Sequence, residues 1–173
     1  GRLVPWKGMK ALVDVVVLLH EKGIPVTLEI IGDGVCREEL EGHIKNRGVG
    51  EYVHMCGMVS REELARRVTA SDAFVLNTAY EGLSHQLLEV MSMGVPIVTT
   101  PVGGNVELIR DGESGMFVPY DDGEKMQEVL KRLYTEPAFG KVLAERAQTT
   151  LGMFREDVVI TEFVTLLKTL WKF

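Results

Sequence analysis

Glu81 and Glu89, with seven residues between them, are the side chains in this sequence best spaced for joint chemistry. They belong to AYEGLSHQLLEVMSMG, where Glu81 sits just before an amphipathic run and Glu89 lies inside it. Gly82 lets backbone come close to a ligand, and a helix starting near Leu83 and Ser84 offers unpaired N–H groups to a phosphate or sugar oxygen. A carboxylate beside an anion site is unfavourable unless it accepts hydrogen bonds from neutral hydroxyls, which sugar rings and ribose supply. Two carboxylates flanking a phosphate cradle therefore suggest a ligand with sugars on both sides of its phosphate. On a helical wheel His85, Glu89 and Ser92 form a polar stripe opposite Leu87, Leu88, Val90 and Met91. Such a stripe also serves solubility alone, so His85 by itself is open to both readings.

Arg2 and Lys7 flank a proline-containing loop in GRLVPWKG, residues 1–8. Placed in a cleft they could neutralise a diphosphate, Arg as a planar fork and Lys as a point charge. Left in solvent they would do nothing. Gly32-Asp33-Gly34 closes an apolar run but lacks the third glycine of a dinucleotide fingerprint. Pro101-Val102-Gly103-Gly104-Asn105 could present amides to a ligand or be a tight strand-to-helix turn. The sequence holds no nucleophile elbow, Walker loop, histidine pair for metal or Cys/His constellation. Of His20, His43, His54 and His85, only His85 falls in a suspected cleft. Nothing here makes a complete catalytic centre.

The elements that must hold these residues can be read from the apolar pattern. Val26 to Ile31, Tyr52 to Cys56, Ala73 to Asn77, Val95 to Thr99 and Met116 to Val118 read as short buried strands. Between them the spacing predicts helices over residues 10–22, 36–47, 61–70, 84–93 and 104–110. Ser60 and Glu63 form the pattern of a capping box. Three more helices are predicted near 123–135, 137–149 and 156–170. Strands buried on both faces and alternating with helices predict an α/β fold, a Rossmann-like doubly wound parallel sheet with helices on both faces. No linker or repeat divides the chain, so residues 1–173 are expected to form a single domain. Such sheets bind ligands beyond the carboxyl ends of their strands. That rule singles out the loops Gly32 to Gly34, Gly57 to Ser60, Thr78 to Ser84 and Thr100 to Gly104.

Composition limits the function classes. At 173 residues the chain can bury a real core, and its net charge of −6 argues against general attraction to nucleic acid. No apolar run is long enough to span a bilayer. Cys36 and Cys56 are not spaced as a metal pair and read as thiols of a reducing cytosol. With no secretory pattern in view, the expected compartment is the cytoplasm, with attachment to the inner membrane face left open.

Taken together, five segments resemble the C-terminal domain of the family-four retaining glycosyltransferases of GT-B fold. They are GRLVPWKG (1–8), LEIIGDG (28–34), VHMCGMVSREEL (53–64), AYEGLSHQLLEVMSMGVPIVTTPVGG (79–104) and ELIRDGESGMFVP (107–119), in the family's order. The glutamate pair followed by Met-x-x-Gly-x-Pro at 91–96 is the most specific of these signals. The resemblance implies that Arg2 and Lys7 hold a donor diphosphate, Glu89 accepts from ribose hydroxyls and Glu81 contacts the transferred sugar. It places the amides of Leu83 and Ser84 on the distal phosphate and sugar, with Gly82 and His85 beside them. The backbone of Met58 and Val59 would meet the nucleobase, with Gly32 nearby. The family often has Phe-Gly where this chain has Leu83-Ser84, which bears on sugar choice.

The implied donor is a UDP-, GDP- or ADP-hexose, used without metal or other cofactor. The implied acceptor is a glycan or lipid-linked glycan, held by a preceding domain outside these residues. The strand that leads into Gly1 in the family is also outside them, so the sheet is expected to be short by that strand. The residues alone leave two alternatives: another GT-B enzyme such as an epimerase or phosphorylase, or a regulatory module that binds a nucleotide without chemistry.

Overall fold

The computed structural model describes residues 1–154 and Thr165. Every apolar run expected to be a strand is one: β1 (Leu28–Ile31), β2 (Val53–Gly57), β3 (Phe74–Leu76), β4 (Ile97–Thr99) and β5 (Met116–Phe117). The helices are α1 (Met9–Glu21), α2 (Arg37–Arg47), α3 (Arg61–Thr69), α4 (His85–Met93), α5 (Asn105–Leu108), α6 (Gly123–Thr135) and α7 (Pro137–Leu151). A 3₁₀ turn, Pro5–Lys7, leads into α1. The helix expected over Glu156 to Leu170 lies outside the described residues apart from Thr165, which is helical.

All strand pairings are parallel, β1 with β2 and β3 with β4 with β5. Between consecutive strands the chain crosses over through a helix, as parallel pairing requires. Among the described residues β1 and β3 share no ladder. Residues 1–6 are instead bonded to both of their ends. The Gly1 amino group donates to Ile31 O at 2.6 Å and Leu3 N to Asp33 O at 2.8 Å, while Ala79 N donates to Trp6 O at 2.8 Å.

Burial explains the layering. In β4, Ile97 packs with Leu87, Val90 and Met91 of α4, whereas its neighbour Val98 packs with Leu12, Val15 and Leu19 of α1 and Met126 and Val129 of α6. Successive side chains of one strand thus face helices on opposite sides, giving the α/β arrangement expected from the sequence. A third cluster joins Val13 and Val16 of α1 and Leu40 and Ile44 of α2 to Ile30 of β1 and Val53 of β2. Leu87 and Met91 are fully buried. Truncating either to Ala costs about 2–5 kcal/mol and would loosen the helix that carries Glu89.

Candidate functional site

Helix α4 is anchored by that apolar face, and its first turn is capped from within. The Ser84 hydroxyl, buried, accepts from Leu87 N at 3.4 Å. The amides of Leu83 and Ser84 find no acceptor among the described residues. They remain available as donors at the positive end of the helix. His85 and Ser92 are exposed on the outer stripe as the wheel predicted, and Glu89 is half-buried between them.

Glu81 lies in the loop between β3 and α4, and that loop is held by the loop leaving β4. Thr100 Oγ1 donates to Thr78 O at 2.6 Å, Thr78 Oγ1 to Tyr80 O at 2.8 Å, and Gly104 N to Gly82 O at 3.1 Å. At Gly103, with φ of 51°, a Cβ would lie 1.7 Å from the Glu81 carbonyl oxygen, so only glycine permits this approach. The described contacts of Pro101–Asn105 make a turn that fixes the Glu81 backbone.

Lys7 meets Glu81 across 74 residues of sequence, its Nζ donating to Glu81 Oε2. Lys7 is only 9% exposed and the Glu81 side chain 21%, so the pair is largely withdrawn from water. In that setting each charge depends on the other, and loss of one leaves a poorly solvated ion. Glu89 has a looser partner: Arg61 Nη2 lies 3.3 Å from Glu89 Oε1, with the Arg61 side chain 90% exposed. An exposed pair of that kind is worth about 0–1 kcal/mol.

The remaining predicted residues gather at the same end of the sheet. Gly32 N donates to Gly57 O at 2.8 Å, which brings the loop after β1 beside the Met58–Val59 turn after β2. Met58 is 78% exposed. Arg2 forms a parallel bridge with Asp33, and its exposed side chain makes no ion pair among the described residues. A Cβ on Gly1 would lie 2.8 Å from Gln86 Nε2, so the segment carrying Arg2 runs past the first turn of α4. The structure thus brings Lys7 and Glu81 into contact and gathers Arg2, Gly32, Met58, Val59 and the α4 start at the carboxyl ends of β1, β2 and β3.

Sequence reasoning missed three participants. Asn77 closes the β3 apolar run and is 2% exposed, yet its polar side chain reads simply as the end of a strand. Thr100 and Arg61 lie inside segments that carry the resemblance but were given no role there. A buried amide at the carboxyl end of a parallel strand was the one available signal.

The profile of the family described as glycosyl transferases group 1 matches residues 1–150. Among curated relatives, the α-D-kanosaminyltransferase of Streptomyces kanamyceticus is 32% identical over 147 residues, covering 85% of this chain and 38% of that protein. The putative glycosyltransferase EpsD of Bacillus subtilis is 26% identical, covering 92% of this chain and 42% of its own. The chain therefore spans about two fifths of the length of these relatives. Among solved structures, HepE of Anabaena in complex with UDP superposes with a TM-score of 0.82 at 24% identity, covering 98% of this chain and 47% of that one. The C-terminal domain of the group 1 glycosyl transferase LpcC from Francisella tularensis superposes with a TM-score of 0.78 at 22% identity, covering 88% and 82%.

Proposed function

The chain belongs to the glycosyl transferases group 1 family, and from that premise we propose that its cleft binds the nucleoside-diphosphate hexose used by a retaining glycosyltransferase. The observation that carries this reading is the Lys7–Glu81 pair, set beside the free amides of Leu83 and Ser84 at the carboxyl ends of the strands. Lys7 and Arg2 take the diphosphate, and the α4 amides take its distal phosphate. Glu81 accepts from a hydroxyl of the transferred hexose, and Glu89 from ribose. The backbone at Met58 and Val59 meets the base, and Gly82 and His85 line the sugar side. HepE, a relative in fold, was crystallised with UDP and with UDP-glucose, which makes uridine the first base to test.

In the reaction the anomeric carbon's bond to the diphosphate oxygen breaks, and a bond to an acceptor hydroxyl oxygen forms on the same face. The hydroxyl proton passes to the departing diphosphate. Positive charge at Lys7 and Arg2 and the α4 dipole stabilise that leaving group where its charge grows, without a metal ion. The acceptor, a glycan or lipid-linked glycan, is held by a second domain of the parent protein, which acts in the cytoplasm. Residues 1–173 form the single donor-binding domain.

Calorimetric titration of the chain with UDP, GDP and ADP in the presence of EDTA tests the reading. One nucleotide binds, and Lys7→Ala and Glu89→Ala each weaken it, Lys7→Ala by roughly tenfold or more because a charge-assisted contact is lost. Equal affinity in wild type and both variants would move the donor site elsewhere.

A further inference from the structure

Resting on the reading of Lys7 as a diphosphate ligand, we infer that Asn77 is a positioning residue that sets the Lys7 ammonium through the Gly8 turn. Asn77 is 2% exposed, and its Nδ2 donates to Gly8 O at 3.1 Å and to Asp121 Oδ1 at 3.2 Å. Its Oδ1 accepts from Asp121 N at 3.3 Å. One buried amide thus joins three segments: the turn after Lys7, the end of β3, and the loop entering α6. The fit is close, since a Cβ on Gly8 would lie 2.3 Å from Asn77 Nδ2 and 2.7 Å from Asp121 Oδ1.

Two backbone residues adopt left-handed conformations at this knot. Gly8 has φ of 52°, and Asp121, with φ of 56°, is the one non-glycine residue of positive φ among the described residues. At Asp121, which has a Cβ, such a conformation is strained and persists where surrounding contacts over-determine it. Here those contacts bracket Lys7. Trp6 O accepts from Ala79 N at 2.8 Å on one side, and Gly8 O accepts from Asn77 on the other. Tyr120 Oη adds a longer bond to Pro5 O at 3.4 Å.

Both ties come from the chain leaving β3, the same segment that delivers Glu81 a few residues later. Lys7 and Glu81 are therefore referenced to one scaffold, and the Asn77 amide fixes the distance at which Lys7 meets its anion. Without it the Gly8 carbonyl keeps only the longer bond from Leu12 N, at 3.4 Å, and the turn can relax away from the cleft.

A double-mutant cycle on the full-length protein tests this, with UDP as titrant and GDP and ADP in parallel. Asn77→Ala weakens the nucleotide that binds roughly fivefold, the scale of one neutral hydrogen bond. Added to Lys7→Ala it weakens binding no further, because it acts only through Lys7. Losses that multiply in the double variant would overturn the inference, as would an Asn77→Ala affinity equal to wild type. A silent Lys7→Ala would remove Lys7 from the donor site and take the inference with it, a pattern distinct from multiplication. If Asn77→Ala does not fold, Asp121→Gly and Asp121→Asn replace it. Glycine keeps the backbone conformation but loses the Nδ2 acceptor and weakens binding, whereas asparagine keeps a side-chain carbonyl and restores it. Equal loss in both would likewise overturn the assignment.

Discussion

Glu81 performs two electrostatic roles in the proposed site, and they conflict. It neutralises the nearly buried Lys7, and in the proposed site it must remain when the anionic diphosphate arrives. A free diphosphate competes with Glu81 for Lys7 and is repelled by the same carboxylate. Only a donor that carries a sugar hydroxyl compensates by hydrogen-bonding to it. Glu81→Gln is therefore expected to tighten UDP by roughly fivefold at low salt, with the gain shrinking at high salt, while transfer by the full-length protein falls. Weaker UDP binding in Glu81→Gln, measured by the same calorimetry, would show that the carboxylate is not a counter-charge to Lys7. The sequence exposed the two residues separately, one through the resemblance at 1–8 and the other at 79–104. Their contact was not legible, because an ion pair across 74 residues follows from the order of strands and not from local spacing. Asn77 and Asp121 were illegible for the same reason.

Among the elements, α3 shows both what local pattern reveals and where it stops. Ser60 caps the helix, its Oγ accepting from Glu63 N at 3.2 Å, as the capping-box spacing predicts. The reciprocal half is different. Glu63 turns to Arg66, at 2.7 and 2.8 Å, and to Arg67 at 2.6 Å. Two guanidiniums outcompete a single neutral amide for a carboxylate. Arg67 continues to Glu29 of β1 at 3.0 Å, so the helix is pinned to the sheet through charge. Hydrogen bonds from Arg66 and then Arg67 hold the Glu63 carboxyl down to about 2, against an ordinary value of 4.5. A carboxyl depressed on folding adds stability that is present above 4.5 and is lost as pH falls through the folded value. The urea midpoint of wild type should exceed that of Glu63→Gln at neutral pH, and the gap should close between pH 4.5 and about 2. A gap that persists unchanged at the acid end would mean that the carboxylate charge is not what holds α3. The strands themselves were legible because each reads as a short apolar run, although only β4 is buried throughout and Glu29 of β1 and His54 of β2 are exposed. Their ends were less so, since the residues just past β1 and β3 bond to residues 1–6, Asp33 O accepting from Leu3 N and Ala79 N donating to Trp6 O.

At the scale of the whole molecule, the exposed apolar residues are unevenly placed. Val35, Met58, Tyr80, Leu83 and Val106 all follow the carboxyl ends of strands, and Trp6, tied to Ala79, joins them. Leu18, Tyr134 and Val142 are exposed on α1, α6 and α7. Scattered apolar residues need no explanation, but six of them at the ends of the strands, where Glu81 also lies, suit a surface that another domain covers. The chain spans about two fifths of the relatives it matches, which leaves room for such a domain. The sequence predicted a donor-binding domain whose partner domain holds the acceptor, and the proposed function keeps that division. Binding and turnover should therefore separate. A ligand that binds only the folded chain raises its thermal midpoint in proportion to the logarithm of its concentration. UDP is expected to stabilise residues 1–173 in this way, and Lys7→Ala to reduce the shift. The same preparation should release no hexose from UDP-glucose to a glycan acceptor, whereas the full-length protein transfers it. Sugar transfer by residues 1–173, followed by mass change of the acceptor, would show that one domain suffices and that the exposed apolar residues serve another partner. Stabilisation without transfer would place the chemistry where two domains meet, with Lys7 and Glu81 supplying the donor side of that junction.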